Sequence, residues 1–130
     1  MHQITKKIYY HDTDCGGVVY YANYLKYLEE ARTEFFSDKG IGIKELGQKQ
    51  ILFVVRKVEI EYKAPASYAD TLAVLTGITR FKNASLEFSQ QIERAGRLLV
   101  AAKTQLVCVD DKFNPRIIPD PVIEKLRNAS

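Results

Sequence analysis

Tyr9-Tyr10-His11-Asp12-Thr13-Asp14-Cys15-Gly16-Gly17-Val18-Val19-Tyr20-Tyr21 runs directly into Ala22-Asn23-Tyr24-Leu25-Lys26-Tyr27-Leu28-Glu29-Glu30-Ala31-Arg32-Thr33-Glu34-Phe35-Phe36. The first half is punctuation: two aspartates and two glycines between positions 12 and 17 break any regular element. The second half is periodic. Apolar residues at 24, 25, 28, 31, 35 and 36 fall at helical spacing, with Lys26, Glu29, Glu30, Thr33 and Glu34 on the other faces. The spacing predicts a helix over 22–36, with Asn23 as candidate N-cap. Asp38-Lys39-Gly40 ends it, with glycine in the usual C-terminal position. Ile43 to Leu46 reads as one more helical turn.

Outward from that helix the chain alternates with period two. Ile4 to Tyr10 reads as a first strand. Val54, Val58, Ile60 and Tyr62 share one strand face, opposite Lys57, Glu59 and Glu61, and Pro65 ends that strand. Leu72, Val74, Thr76 and Ile78 alternate next, then Leu86, Phe88, Gln90 and Ile92 after a turn at Lys82-Asn83-Ala84. Ala95-Gly96 turns the chain into a long apolar strand from Leu98 to Val109. Four such segments with short turns predict an antiparallel meander, and one long helix over it an α+β layer architecture. The helix is expected to cover the apolar sheet face alone. Prolines at 115, 119 and 121 mark 113–130 as a C-terminal tail outside the core.

At 130 residues the chain suits one domain, 1–130, able to bury a core without staples. Hydrophobic residues at 46% and charged residues at 27% match an ordinary globular protein and exclude extended disorder. No apolar run is long enough to span a bilayer, and the N-terminus lacks an apolar signal core. Cys15 and Cys108 are too few for a disulfide framework or a four-cysteine zinc site. These features predict a cytoplasmic protein with no cofactor and no metal. A net charge of +3, without basic runs, is too mild to imply nucleic acid, and the small positive excess favours an anionic ligand such as one carrying phosphates; no nucleic-acid partner is expected. Long strands leave an exposed sheet edge, which invites a second copy: a homodimer or homotetramer is expected.

Chemistry concentrates between the first strand and the helix. Backbone N–H groups at a helix start have no internal partner and can receive an anion or a developing oxyanion. Glycines just before let a ligand approach the backbone, which makes Gly17 and Val18 candidate substrate-binding positions. An aspartate beside that point supplies a base or nucleophile, the minimum kit for attack on a polarised carbonyl. Spacing alone does not choose between Asp12 and Asp14, both of which also suit turns. His11 reads as a surface histidine, Cys15 as a small buried residue and Cys108 as core. Tyr20, Tyr21, Tyr24 and Tyr27 suit either an acyl or aromatic pocket or helix packing.

The run Tyr10 to Arg32, with its Asp-x-Asp-x-x-Gly-Val-Val-Tyr core, resembles the signature of hotdog-fold acyl-CoA thioesterases. It is similar to the 4-hydroxybenzoyl-CoA thioesterase family, in particular its YbgC-type branch. The segment Phe53 to Ala66 and the closing Val107-Cys108-Val109-Asp110 with Pro115-Arg116 carry the same resemblance. The resemblance implies a long central helix wrapped by a five- to six-stranded antiparallel sheet, with active sites between paired subunits. It also implies hydrolysis of acyl-CoA to free acid and CoA, with Asp14 as catalytic carboxylate and the Tyr21 backbone N–H polarising the thioester. Arg80, Lys82, Asn83 and Ser85 stand where the family places nucleotide contacts, with Arg56 and Lys57 as further cations. Acyl carrier protein is a further candidate partner. At position 21 the YbgC-type branch commonly has His, whereas the hydroxybenzoyl branch has Tyr, as here. The alternative reading is a non-catalytic acyl-CoA or acyl-carrier binding module on the same fold.

Overall fold

The computed structural model describes residues 1–127, so the end of the expected tail, 128–130, lies outside the described residues. In chain order the elements are β1 (His2–Lys7), a 3-10 turn at Tyr10–Asp12, α1 (Asn23–Asp38), α2 (Ile43–Gln48), β2 (Leu52–Tyr62), β3 (Thr71–Phe81), β4 (Ser85–Arg94), β5 (Arg97–Val109) and α3 (Asp120–Arg127). The strands form one five-stranded antiparallel sheet in the order β1-β3-β4-β5-β2. Only β3, β4 and β5 are a meander. β2 lies beyond β5 at one edge, which corrects the expected run of four neighbouring strands.

That crossover has a structural consequence. From Tyr62 to Thr71 the chain must pass two strands, about 14 Å sideways. It does so along one end of the sheet, through residues 63–70, directly beneath the start of α1. Val19 N–H bonds Ala66 O at 2.8 Å, Tyr68 N–H bonds Gly17 O at 3.1 Å, and Ala66 N–H donates to the Tyr24 hydroxyl at 3.0 Å. Asp70 braces the crossover, accepting from Ser67 N–H at 2.8 Å and pairing with Arg94 at 2.7 Å.

α1 packs on one sheet face. Tyr24, Tyr27, Leu28, Ala31, Arg32, Phe35 and Phe36 are buried, whereas Leu25, expected inside, is exposed. Tyr24, Tyr27, Leu28 and Ala31 meet Leu72, Val74, Ile92 and Val100 at one end of the core. Phe35 and Phe36 meet Leu86, Phe88, Leu106 and Cys108 at the other. Between them Gln90 is 1% exposed, and its amide donates to Leu28 O and Thr76 Oγ1 and accepts from Arg32. Gly40, at φ +78°, lets Ile41 N–H return to Phe36 O and closes the helix as expected.

Three local expectations are corrected. The first strand stops at Lys7, because Ile8 N–H turns to Asp70 O and the chain enters the 3-10 turn. A bulge at Arg56 shifts the face of β2: Phe53, Val55, Val58, Ile60 and Tyr62 oppose inward residues of β5, so Val54 faces the other way. The stretch read as a tail contributes to the core through Ile118, Val122 and Leu126, so α1 does not cover the sheet alone. Val122 and Leu126, one turn apart, give α3 its buried face, with Ile118 just before the helix, and Pro121 sits in its first turn, where a missing N–H is no loss.

Candidate active site

Residues 13–19 form a small hairpin between the 3-10 turn and α1. Thr13 bridges Val19, Asp14 N–H bonds Val18 O at 2.9 Å, and Gly17 N–H bonds Asp14 O at 3.0 Å. Gly17 adopts φ +78°, which closes this tip without strain. The Asp14 side chain is exposed, with Oδ1 held by Gly16 N–H at 2.8 Å. The carboxylate is thus oriented while its other oxygen stays open to a ligand. Gly17 and Val18 use their backbone groups to hold this hairpin and dock it on Ser67 and Tyr68.

Asp12 has a different task. It is 7% exposed, and its Oδ2 accepts Tyr9 N–H at 2.8 Å. Burial opposes its ionisation, but the Tyr9 amide, Tyr27, His11 and Lys6 outweigh it and hold the carboxyl below the usual range. The Tyr27 hydroxyl is buried without a partner inside hydrogen-bond distance, and burial, then the Asp12 carboxylate, raise its pKa. The Asp12 carbonyl accepts Tyr20 N–H at 3.1 Å and Asn23 Nδ2 at 2.9 Å.

The helix start is uncapped. The N-cap is Ala22, which carries no capping side chain, and Asn23 is the first helical residue, correcting its expected capping role. Tyr21 N–H has no hydrogen-bond partner among the described residues. Beside it Val19, Tyr21, Tyr24, Tyr62, Ala64 and Pro65 line an open groove of about 270 Å³. Tyr21 and Tyr62 rings meet edge to face at 6.1 Å. The four tyrosines therefore divide: Tyr24 and Tyr27 pack in the core, and Tyr20 and Tyr21 stay exposed.

The cationic candidates lie elsewhere. Arg80, Lys82 and Ser85 line a shallow crevice with Arg56, Glu87 and Gln105. Arg56 bonds Gln105 at 3.0 Å, and Arg80 stands 3.7 Å from Glu87. The backbone carbonyl of Asn83, in the same turn, accepts Ile118 N–H at 2.8 Å. Lys57 pairs with Glu59 at 3.0 Å. β3 runs from beneath the Asp14 hairpin to this crevice, so the two sets are roughly 30 Å apart along one chain. His11 is exposed as expected, and Cys108 is buried. Cys15 is exposed rather than buried, because it sits at the hairpin tip. The sequence pattern puts Tyr62 on a strand and Pro65 at its end but gives neither a place in the site, since only the crossover brings Tyr62, Ala64 and Pro65 to Tyr21.

The chain is similar to proteins already known. The sequence pattern of the thioesterase-like superfamily matches residues 9–126. The chain belongs to that superfamily. Among its members, the acyl-CoA thioester hydrolase YbgC of Escherichia coli O6:H1 is 41% identical over 123 residues, covering 93% of this chain and 92% of that one. The acyl-CoA thioesterase YbgC of Haemophilus influenzae is 37% identical over 118 residues, covering 89% and 87%. A solved probable thioesterase from Bartonella henselae superposes with a TM-score of 0.87 at 34% identity, covering 91% of this chain and 98% of that one. The fold is the hotdog fold of these thioesterases, as the resemblance implied.

Proposed function

We propose that this thioesterase-like chain hydrolyses acyl-CoA thioesters, with Asp14 as the catalytic carboxylate and the Tyr21 N–H as oxyanion donor. The observation that carries the reading is a Tyr21 N–H without a partner among the described residues, at a helix start with no side-chain cap, together with an oriented, exposed carboxylate on the hairpin that leads into that helix. In hydrolysis, Asp14 takes a proton from water as the water oxygen attacks the carbonyl carbon. Negative charge gathers on the carbonyl oxygen, where Tyr21 N–H and the helix start oppose it. The C–S bond then breaks, and the thiolate leaves without needing a strong acid. One such donor is worth about 2.7–4 kcal/mol of barrier. A positioned base adds roughly 10²–10⁴-fold. In direct attack Asp14 instead displaces the thiolate to form an acyl–Asp14 anhydride, which water then cleaves; label from H₂¹⁸O in Asp14 after a single turnover identifies that path when water attacks the Asp14 carboxyl carbon, and trapping of the anhydride identifies it when water attacks the acyl carbon.

Two copies paired along β2 complete the site. Of the two sheet edges, β1 is short and carries Lys6 and Lys7, which discourage pairing. β2 is 11 residues long and exposes Val55, Val58 and Tyr62. Antiparallel pairing of two β2 strands brings one protomer's Arg56–Arg80–Lys82–Ser85 crevice toward the other's Tyr21 groove. This reconciles candidates that one chain keeps at opposite ends of its sheet: CoA phosphates bind one subunit while the thioester reacts on the other. The partner also shields Asp14 from bulk water.

No described helix is long and apolar enough to cross a membrane. The test is thiol release from a panel of acyl-CoA and acyl-carrier-protein thioesters. Wild type is expected to turn over. Asp14→Asn is expected to fold normally and lose at least ~10²-fold in kcat. Full activity in that variant removes Asp14 from the mechanism, and binding without turnover by wild type supports the non-catalytic module instead.

A further inference from the structure

Asn23 is the residue at the helix start whose behaviour departs most from its type. Asparagine beside a helix N-terminus ordinarily turns its carbonyl back to cap free amides. Here its carboxamide points the other way and donates to Asp12 O at 2.9 Å from a half-buried position. The same carbonyl takes Tyr20 N–H at 3.1 Å. Residues 12, 20 and 23 are thereby joined at one oxygen. The Asp14 hairpin leaves from that node and returns to it.

From this geometry we infer that Asn23 is a positioning residue for thioester hydrolysis, holding the α1 start against the Asp14 hairpin. The inference rests on the proposed roles of Asp14 and Tyr21. The donor supplies the second of two bonds at Asp12 O, so the helix start cannot shift against the hairpin by breaking only one. A misplacement of about 1 Å between reacting groups is enough to cost ~10²-fold in rate.

The test compares Asn23→Ala, Asn23→Ser and Asn23→Asp with wild type and Asp14→Asn, using kcat and KM for one acyl-CoA together with Tm. Alanine removes the donor and is expected to lower kcat about tenfold with KM within twofold. Serine keeps a short donor and is expected to recover part of that loss. Aspartate cannot donate, is repelled by Asp12 O and places negative charge beside the oxyanion. It is expected to lower kcat about a hundredfold, with Tm unchanged or raised because an acid in the first turn suits the helix dipole. Unchanged kcat in the alanine and aspartate variants overturns the inference. So does a loss of activity that follows Tm alone across the series. If Asp14→Asn keeps full activity, the site assignment fails instead, and Asn23 loses its role with it.

Discussion

Asp12 and Asp14 are two residues apart and identical in type, yet the fold gives them opposite surroundings. Asp12 is buried against Tyr9 N–H and the 3-10 turn; Asp14 is held at an exposed tip by Gly16 N–H. The difference has a pH signature. Asp12 and Asp70 both titrate below their ordinary range, Asp70 despite burial because Ser67 N–H and Arg94 favour its anion. A carboxyl whose folded pKa is depressed adds stability that is complete above its unfolded value, near ~3.9. That stability is lost as pH falls through the lower folded value. Urea midpoints are therefore expected to drop as pH falls below about 4. Asp12→Asn is expected to lower the midpoint at neutral pH and to flatten that acid limb. An acid limb of unchanged slope in the variant would show that Asp12 contributes nothing as an anion.

At the scale of elements, α3 and the β3–β4 turn make separate predictions. Leu126 is 4% exposed against the Phe35–Phe36 end of the core, and Leu126→Ala is expected to cost about 2 kcal/mol, the low end for a buried leucine because α3 closes the described chain. Denaturant unfolding checks this; a cost near zero would return α3 to the status of a tail. Lys82→Ala is expected to raise KM for CoA esters about three- to tenfold, the range for an exposed charge-assisted contact. KM for a short pantetheine-like thioester without the nucleotide should not move. Equal effects on both substrates would detach Lys82 from the phosphates. The same scale explains where the sequence reading slipped. The Arg56 bulge inverts the face of half of β2, and no pattern of period two survives an extra residue. In α3 the signal was present, at residues 118, 122 and 126, but three nearby prolines obscured it.

For the whole molecule the decisive feature is the open edge of β2. Val58→Lys in combination with Val55→Lys sets charge along that edge and is expected to yield monomers by sedimentation, with far-UV circular dichroism retained. Thiol release should fall with dimer content, because neither protomer alone holds both the carboxylate and the cationic crevice at one end. Monomers with full activity would show that one chain suffices.

The α1 helix, its glycine stop, the two turns of the β3–β4–β5 meander and the Asp14 motif are all legible in the sequence. Each depends on near neighbours: helical spacing, period-two alternation, glycine at positive φ and aspartate in a turn. Strand order was not legible, nor were the split between Asp12 and Asp14 by burial, the groove wall of Tyr62 and Pro65, and the turn of Asn23 toward Asp12. Strand order and the groove wall depend on where residues 63–70 cross the sheet, and the Asp12 and Asn23 contacts on how the hairpin packs against the helix start. Such contacts leave no periodicity in a single chain, whether they join residues eleven positions apart or more than forty, so only the tertiary structure decides them.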